Sequence, residues 1–158
     1  MTVSEEAATP RPRSGTRRER LRSALIDDIK ACANRQLEAG GPDGVTLRGI
    51  ARDVGVSPAA LYSYFDSLDA LLTAVVTDHY EDLANSVAGA AGTDASGELG
   101  TRLLTAIAAY RAWALEHPGA FRLLFAGPRN ANYYPDDGPA VSAAMRVFVP
   151  MLAILLEG

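Results

Sequence analysis

Cysteine occurs once in this chain, at Cys32, tryptophan once and histidine twice. A single thiol excludes a disulfide framework and any multi-cysteine zinc or iron–sulfur site. His79 and His117 are far apart in sequence, so no metal site is expected. Long apolar runs are missing as well. The longest, residues 147–156, is about ten residues, contains Pro150, and falls short of the ~20 a membrane span needs. The first twenty residues carry no apolar signal core, so the expected location is the cytoplasm. There is no phosphate loop, no nucleophile elbow and no His-Glu metal helix. Neither catalysis nor a cofactor is therefore expected.

What is present is an ordinary globular composition: 158 residues, 48% hydrophobic and 22% charged. That length allows one domain, or a small domain joined to a modest second one. The net charge of −4 is unevenly placed. Residues 1–66 hold nine Arg, one Lys and nine acids, for net +1; residues 67–158 hold five Arg and ten acids, for net −5. Six arginines crowd residues 11–22. A basic arm of this kind suits phosphate, although it also fits a solvated tail.

Residues 1–15, with Pro10, Pro12 and mixed charge, read as a disordered basic arm. Thr16 and Glu19 form a capping box. Leu21, Leu25, Ile29, Cys32 and Leu37 then recur at helical spacing until Gly40, Gly41 and Pro42 stop the helix. Cys32 on that stripe reads as a buried structural thiol. Thr46 opens a short second helix that Gly55 ends. Ser57-Pro58 opens a third, because serine caps and proline is pre-set for the first helical position. Asp66-Ser67 ends it and caps a long fourth helix from Leu68 to Val87, and the Gly-rich residues 89–97 read as a loop or frayed end. A fifth helix covers about residues 97–116, through Leu99, Leu103, Leu104, Ile107, Tyr110, Trp113 and Ala114. A short sixth covers residues 120–125. After a polar connection at 127–139, a last helix covers about residues 140–156, interrupted or kinked at Pro150. No segment shows strand periodicity, so the fold class is all-α.

The informative stretch is VTLRGIARDVGVSPAALYSYF, residues 45–65. Two short amphipathic helices around a glycine turn make a helix-turn-helix. A helix entering a groove about 12 Å wide needs a leading face of small residues, and Ser57, Pro58, Ala59 and Ala60 supply one. Thr46, Tyr62 and Tyr64 place hydroxyl donors where phosphate oxygens would flank that groove. A three-helix packing unit with no DNA role is the plainer reading of the same pattern.

From about Thr16 to Leu72, this pattern resembles the DNA-binding domain of the TetR family of bacterial transcriptional regulators. The resemblance implies that Tyr62 and Tyr64 contact phosphates. It also implies that Ser57, Pro58, Ala59 and Ala60 lie against base edges, and that Thr46 and Arg48 lie near the DNA backbone. Arg17 and Arg18, in the basic segment, complete the expected DNA-binding set. Where the family usually carries a lysine after the phenylalanine, this chain has Leu68, which reads as a packing residue. The implied organisation is a three-helix reading head at residues 16–66 and a helical effector-binding and dimerisation domain at 67–158. The implied function is that of a ligand-responsive repressor. It binds a palindromic operator as a homodimer and releases it when a small, largely apolar molecule occupies the second domain. A ligand-independent architectural DNA-binding protein is the alternative.

Residues 98–126 resemble more weakly the effector domain of one subgroup of that family, carried by AYRAWALEHPGAFRLLF at 109–125. His79, Tyr80, Tyr110, Trp113, Phe121 and Phe125 are the candidate ligand-binding residues, with Tyr133 and Tyr134 possible cover for a pocket mouth. An aromatic stripe at helical spacing also fits an ordinary core. The resembled family usually continues with helices that build a four-helix dimer interface. Either residues 140–156 take over that contact, the interface is reduced, or the chain given is incomplete.

Overall fold

The computed structural model describes residues 16–92, 98–126 and 138–156. All regular structure among the described residues is helical, in seven α-helices and one 3-10 turn. The basic arm at 1–15, most of the 127–139 connection, and Tyr133 and Tyr134 lie outside the described residues.

Helix α1 spans Arg17–Gly40 and begins at the expected capping box. The Glu19 amide donates to Thr16 Oγ1 at 3.2 Å, and the Thr16 amide donates to the Glu19 carboxylate at 2.6 Å. Ile29, Cys32, Ala33 and Leu37 form its buried stripe. Leu21, expected on that stripe, is instead 62% exposed, because it lies a turn and more before the body of the molecule reaches α1. Gly41, at φ 70°, ends the helix with its amide on the Leu37 carbonyl. A 3-10 turn, Pro42–Gly44, leads into α2, Leu47–Val54.

Helix α3 is Pro58–Tyr62, α4 Leu68–Gly92, α5 Leu99–Glu116, α6 Pro118–Ala126 and α7 Pro139–Leu156. Ser67 Oγ accepts the Ala70 amide at 3.0 Å and so caps α4 as expected. α4 continues through Gly89 to Gly92, correcting the expected loop start. The burial of Val87 and Ala91 on either side of Gly89 holds that extra turn. α7 runs through Pro150 with no break in the helix, although proline removes one backbone bond there.

α4 and α7 form the most extensive helix pair, and α5 packs beside both. On α5 the buried residues are Ala106 and Trp113, whereas Leu104 and Ile107 are 68% and 46% exposed. The packing face of α5 is thus rotated from the one its leucines suggest, with the small Ala106 at the close approach. α7 also departs from expectation: with 18 residues and mean hydropathy 1.9, it is long and apolar enough to cross a membrane. Counting only an uninterrupted apolar run missed it, because Ser142 and Arg146 break that run. Arg146 pairs with Glu81 of α4 at 2.7 Å, and Ala140, Ala143, Val147 and Ile154 are buried, so one face of α7 packs on the core while Met145, Phe148, Val149, Leu152, Leu155 and Leu156 stay exposed on the other.

A polar seam fixes α1 against the later helices. Lys30, Asn34 and Glu38 recur every fourth residue, on one helical face. Lys30 pairs with Asp78 at 2.8 Å, Asn34 Oδ1 meets His79 Nε2 at 2.9 Å, and the Glu38 carboxylate accepts the amides of Gly119 and Ala120 at 3.0–3.2 Å. Glu38 thereby caps α6 from another helix, satisfying amides that α6 itself cannot. A Cβ on Gly119 would fall 2.6 Å from the Glu38 carboxyl carbon, so only glycine lets this cap close.

Candidate nucleic-acid interface

α2 is built by its caps. Thr46 Oγ1 accepts the Gly49 amide at 3.2 Å, and Gly55, in the left-handed region at φ 79°, ends the helix. Gln36 of α1, which the sequence did not single out, secures α2 at both ends. Its Oε1 accepts the Thr46 amide at 3.0 Å, and its Nε2 donates to Asp53 at 3.4 Å. A Cβ on Gly49 would meet Gln36 Nε2 at 2.7 Å and Thr46 Oγ1 at 2.8 Å, so glycine there leaves room for both side chains as placed. Asp53 also accepts from Arg52 at 3.2 Å, and that bond chiefly holds its carboxyl below the usual range. Cys32 lies beside the same group, 3.6 Å from Asp53. Burial, then the Asp53 charge, pushes the thiol up, which keeps it protonated and unreactive.

α3 has five residues and cannot stand alone. Ser57 Oγ caps it by accepting the Ala60 amide at 3.1 Å. Leu61, fully buried, pins it to the core. Ser57, Pro58, Ala59 and Ala60 are all exposed, so the small face expected from the sequence does face outward. Thr46 and Arg48 are exposed beside it, Tyr62 is 51% exposed, and Tyr64 is half-buried. Each capping hydroxyl accepts an amide while keeping its own proton to donate. Arg17 and Arg18 are exposed at the start of α1. Phe65 and Leu68 pack against the core, in keeping with a packing role for Leu68.

The six candidate ligand residues gather between α4, α5 and α6 in two clusters. In the first, Tyr80 meets Phe125 edge-on at 6.1 Å, Tyr110 meets Phe121 edge-on at 6.4 Å, and Phe121 lies 4.8 Å from Phe125. The Tyr80 hydroxyl donates to the Leu124 carbonyl at 3.4 Å. Burial raises the Tyr110 phenol. In the second, Trp113 sits edge-on to His79 at 6.1 Å, lies tilted against His117 at 5.0 Å, and donates to Asp82 at 2.7 Å. The rings pack on one another, and the polar tips of His79, Tyr80 and Trp113 are hydrogen-bonded. A separate groove of about 260 Å³ lies between α5 and α7, lined by Leu99, Gly100, Leu103, Ile154 and Leu155, none of them among the six.

His79 carries a pH consequence. Burial, then the nearby His117, lowers its pKa in the folded protein. The unfolded chain, with a histidine near the ordinary value of about 6.5, therefore binds more protons, and stability rises with pH. We expect the urea midpoint to fall as pH drops from about 7 through about 6.5, ahead of carboxylate titration. His79→Gln should flatten that part of the profile; an unchanged profile would remove His79 as its source.

Two family models match the chain: "Bacterial regulatory proteins, tetR family" over residues 29–75 and "Tetracyclin repressor-like, C-terminal domain" over residues 103–158. HTH-type transcriptional regulators of Mycobacterium bovis and Mycobacterium tuberculosis are 34% identical over 128 residues, covering 81% of this chain and 54% of theirs. The chain thus spans about half the length of these curated relatives. Among solved structures, a Rhodococcus protein superposes with TM-score 0.71 at 27% identity, covering 84% of this chain and 66% of that one. A TetR family transcription regulator from Marinobacter aquaeolei gives 0.68 at 20% identity, over 89% of this chain and 71% of its own, which shows a shared fold. With the first model on the helix-turn-helix and the second on the later helices, the chain belongs to the TetR family of bacterial transcriptional regulators.

Proposed function

We propose that this chain forms the operator-reading part of a ligand-responsive repressor that works as a homodimer in the cytoplasm, without catalysis, cofactor or metal. The observation that carries the reading is α3. Its outward face is small from Ser57 to Ala60, and Tyr62 at its end and Thr46 and Arg48 at the start of α2 are exposed donors. Such a face enters the major groove while such donors hold phosphates. In a dimer, two copies of α3 would sit about 34–36 Å apart to read a palindrome.

Release follows from the polar seam. A small, largely apolar molecule wedged among His79, Tyr80, Tyr110, Trp113, Phe121 and Phe125 would part rings that now touch. His79 and the start of α6 are bonded to α1, so their displacement moves the reading head. The molecule must bind the parted state better than the closed one for any shift to occur.

Selection of duplexes from a random pool, followed by fluorescence anisotropy, tests the reading. Tyr62→Ala should weaken the selected duplex by about tenfold or more, with thermal unfolding unchanged, because it removes one positioning contact from an exposed site. Wild-type affinity in the variant would overturn the docking orientation. Binding indifferent to sequence would favour the architectural alternative.

A further inference from the structure

We infer that α3 selects bases through thymine methyl groups, so that each operator half-site carries T·A pairs where Pro58, Ala59 and Ala60 meet the major groove. The inference rests on the DNA-reading function proposed above and goes beyond it in naming the bases that are read.

Three observations point the same way. Residues 54–65, from the end of α2 through α3 to Phe65, contain no Arg, Lys, Asn, Gln, Asp or Glu. Guanine is best read by a guanidinium or ammonium, adenine by a carboxamide and cytosine by a carboxylate. α3 and the turns on either side of it hold none of those groups. What α3 presents outward is apolar: Pro58, Ala59 and Ala60 are all exposed. Ala59, two residues before the buried Leu61, projects from the opposite side of the helix. Among base edges in the major groove, only the C5 methyl of thymine is apolar, and alanine is one of its matching contacts.

The third observation concerns the competing hydroxyls. Ser63, also exposed, donates its hydroxyl proton to the Ala60 carbonyl at 2.6 Å. It has no second proton to donate to a base. Ser57 accepts the Ala60 amide at 3.1 Å and keeps its own proton, but a lone hydroxyl suits several base edges alike. Discrimination therefore falls to the apolar atoms. Where T·A gives way to C·G, the methyl to be buried is missing, and the cytosine amino group faces alanine with no acceptor.

The first test alters the DNA, so protein folding does not enter. The full wild-type chain enriches a duplex from a random pool, and each thymine of that duplex is replaced in turn by deoxyuridine. This exchange removes the major-groove methyl and leaves base pairing and the minor groove unchanged. At thymines under α3, affinity measured by anisotropy should fall about threefold to fourfold for each methyl lost. A C·G pair at the same place should cost about tenfold or more, and 5-methylcytosine there should recover the share that belongs to the methyl. Ala59→Gly or Ala60→Gly should shrink the deoxyuridine effect at one of these thymines, because the methyl has lost its partner; this ties the position to α3. If deoxyuridine is tolerated at every thymine, or if both glycine variants keep its full effect, α3 reads no methyl. The inference then fails, while the docking of α3 is decided separately by Tyr62→Ala. If the wild type enriches no duplex, the DNA reading fails and this inference with it.

Discussion

Ala60→Glu should abolish recognition of a selected duplex while leaving the protein as stable as before, or slightly more so. Ala60 is exposed at the third position of α3, and its amide already donates to Ser57 Oγ at 3.1 Å. A glutamate there completes a Ser-x-x-Glu capping box, which favours the helix start. The same carboxylate faces the surface that must approach DNA. Its charge repels phosphate, and its bulk fills space that alanine leaves open to base edges. A loss of about 100-fold or more in affinity is expected, on the order of 3 kcal/mol. Anisotropy measures the first effect and thermal unfolding the second. Near-normal affinity in a folded variant would mean that Ala60 does not face the groove.

The parts of this molecule that sequence made legible are those governed by neighbours in the chain. The Thr16–Glu19 box, the Thr46 and Ser57 caps and the glycine stops at Gly41 and Gly55 each depend on residues within four positions, and each stands where expected. The exposed Ser57–Ala60 face followed from the same local chemistry. What sequence concealed depends on distant partners. Gln36 reaches Thr46 and Asp53, and Glu38 reaches Gly119, more than eighty residues away. Each is an ordinary polar residue on a helix until its partner is known. Apolar spacing placed Leu21, Leu104 and Ile107 on stripes, but a stripe does not say which helix will cover it. The six ring residues illustrate both sides. Spacing marked them as inward-facing, yet only the packing of α4, α5 and α6 shows that they touch one another in two clusters.

Leu61→Ala, one residue along from Ala60, should have the opposite character and destabilise the reading head. α3 has five residues, too few to be stable by propensity, so its position depends on what it buries. Leu61 is fully buried, and it is the single residue of α3 that is. Truncating a fully buried leucine costs about 2–5 kcal/mol, set by how far the site can collapse. Collapse is limited here, because Gln36 and the glycine-ended α2 hold the neighbouring walls in place. For a chain of this size the midpoint of thermal unfolding should fall by roughly 5–15 °C. DNA binding should weaken with it, and Leu61→Met, which conserves volume, should restore most of both. That recovery separates Leu61 from Ala60, where no exchange of apolar size is expected to matter as much as one carboxylate. A Leu61→Ala protein that melted like the wild type would show that α3 is held by its caps instead of by this one buried side chain.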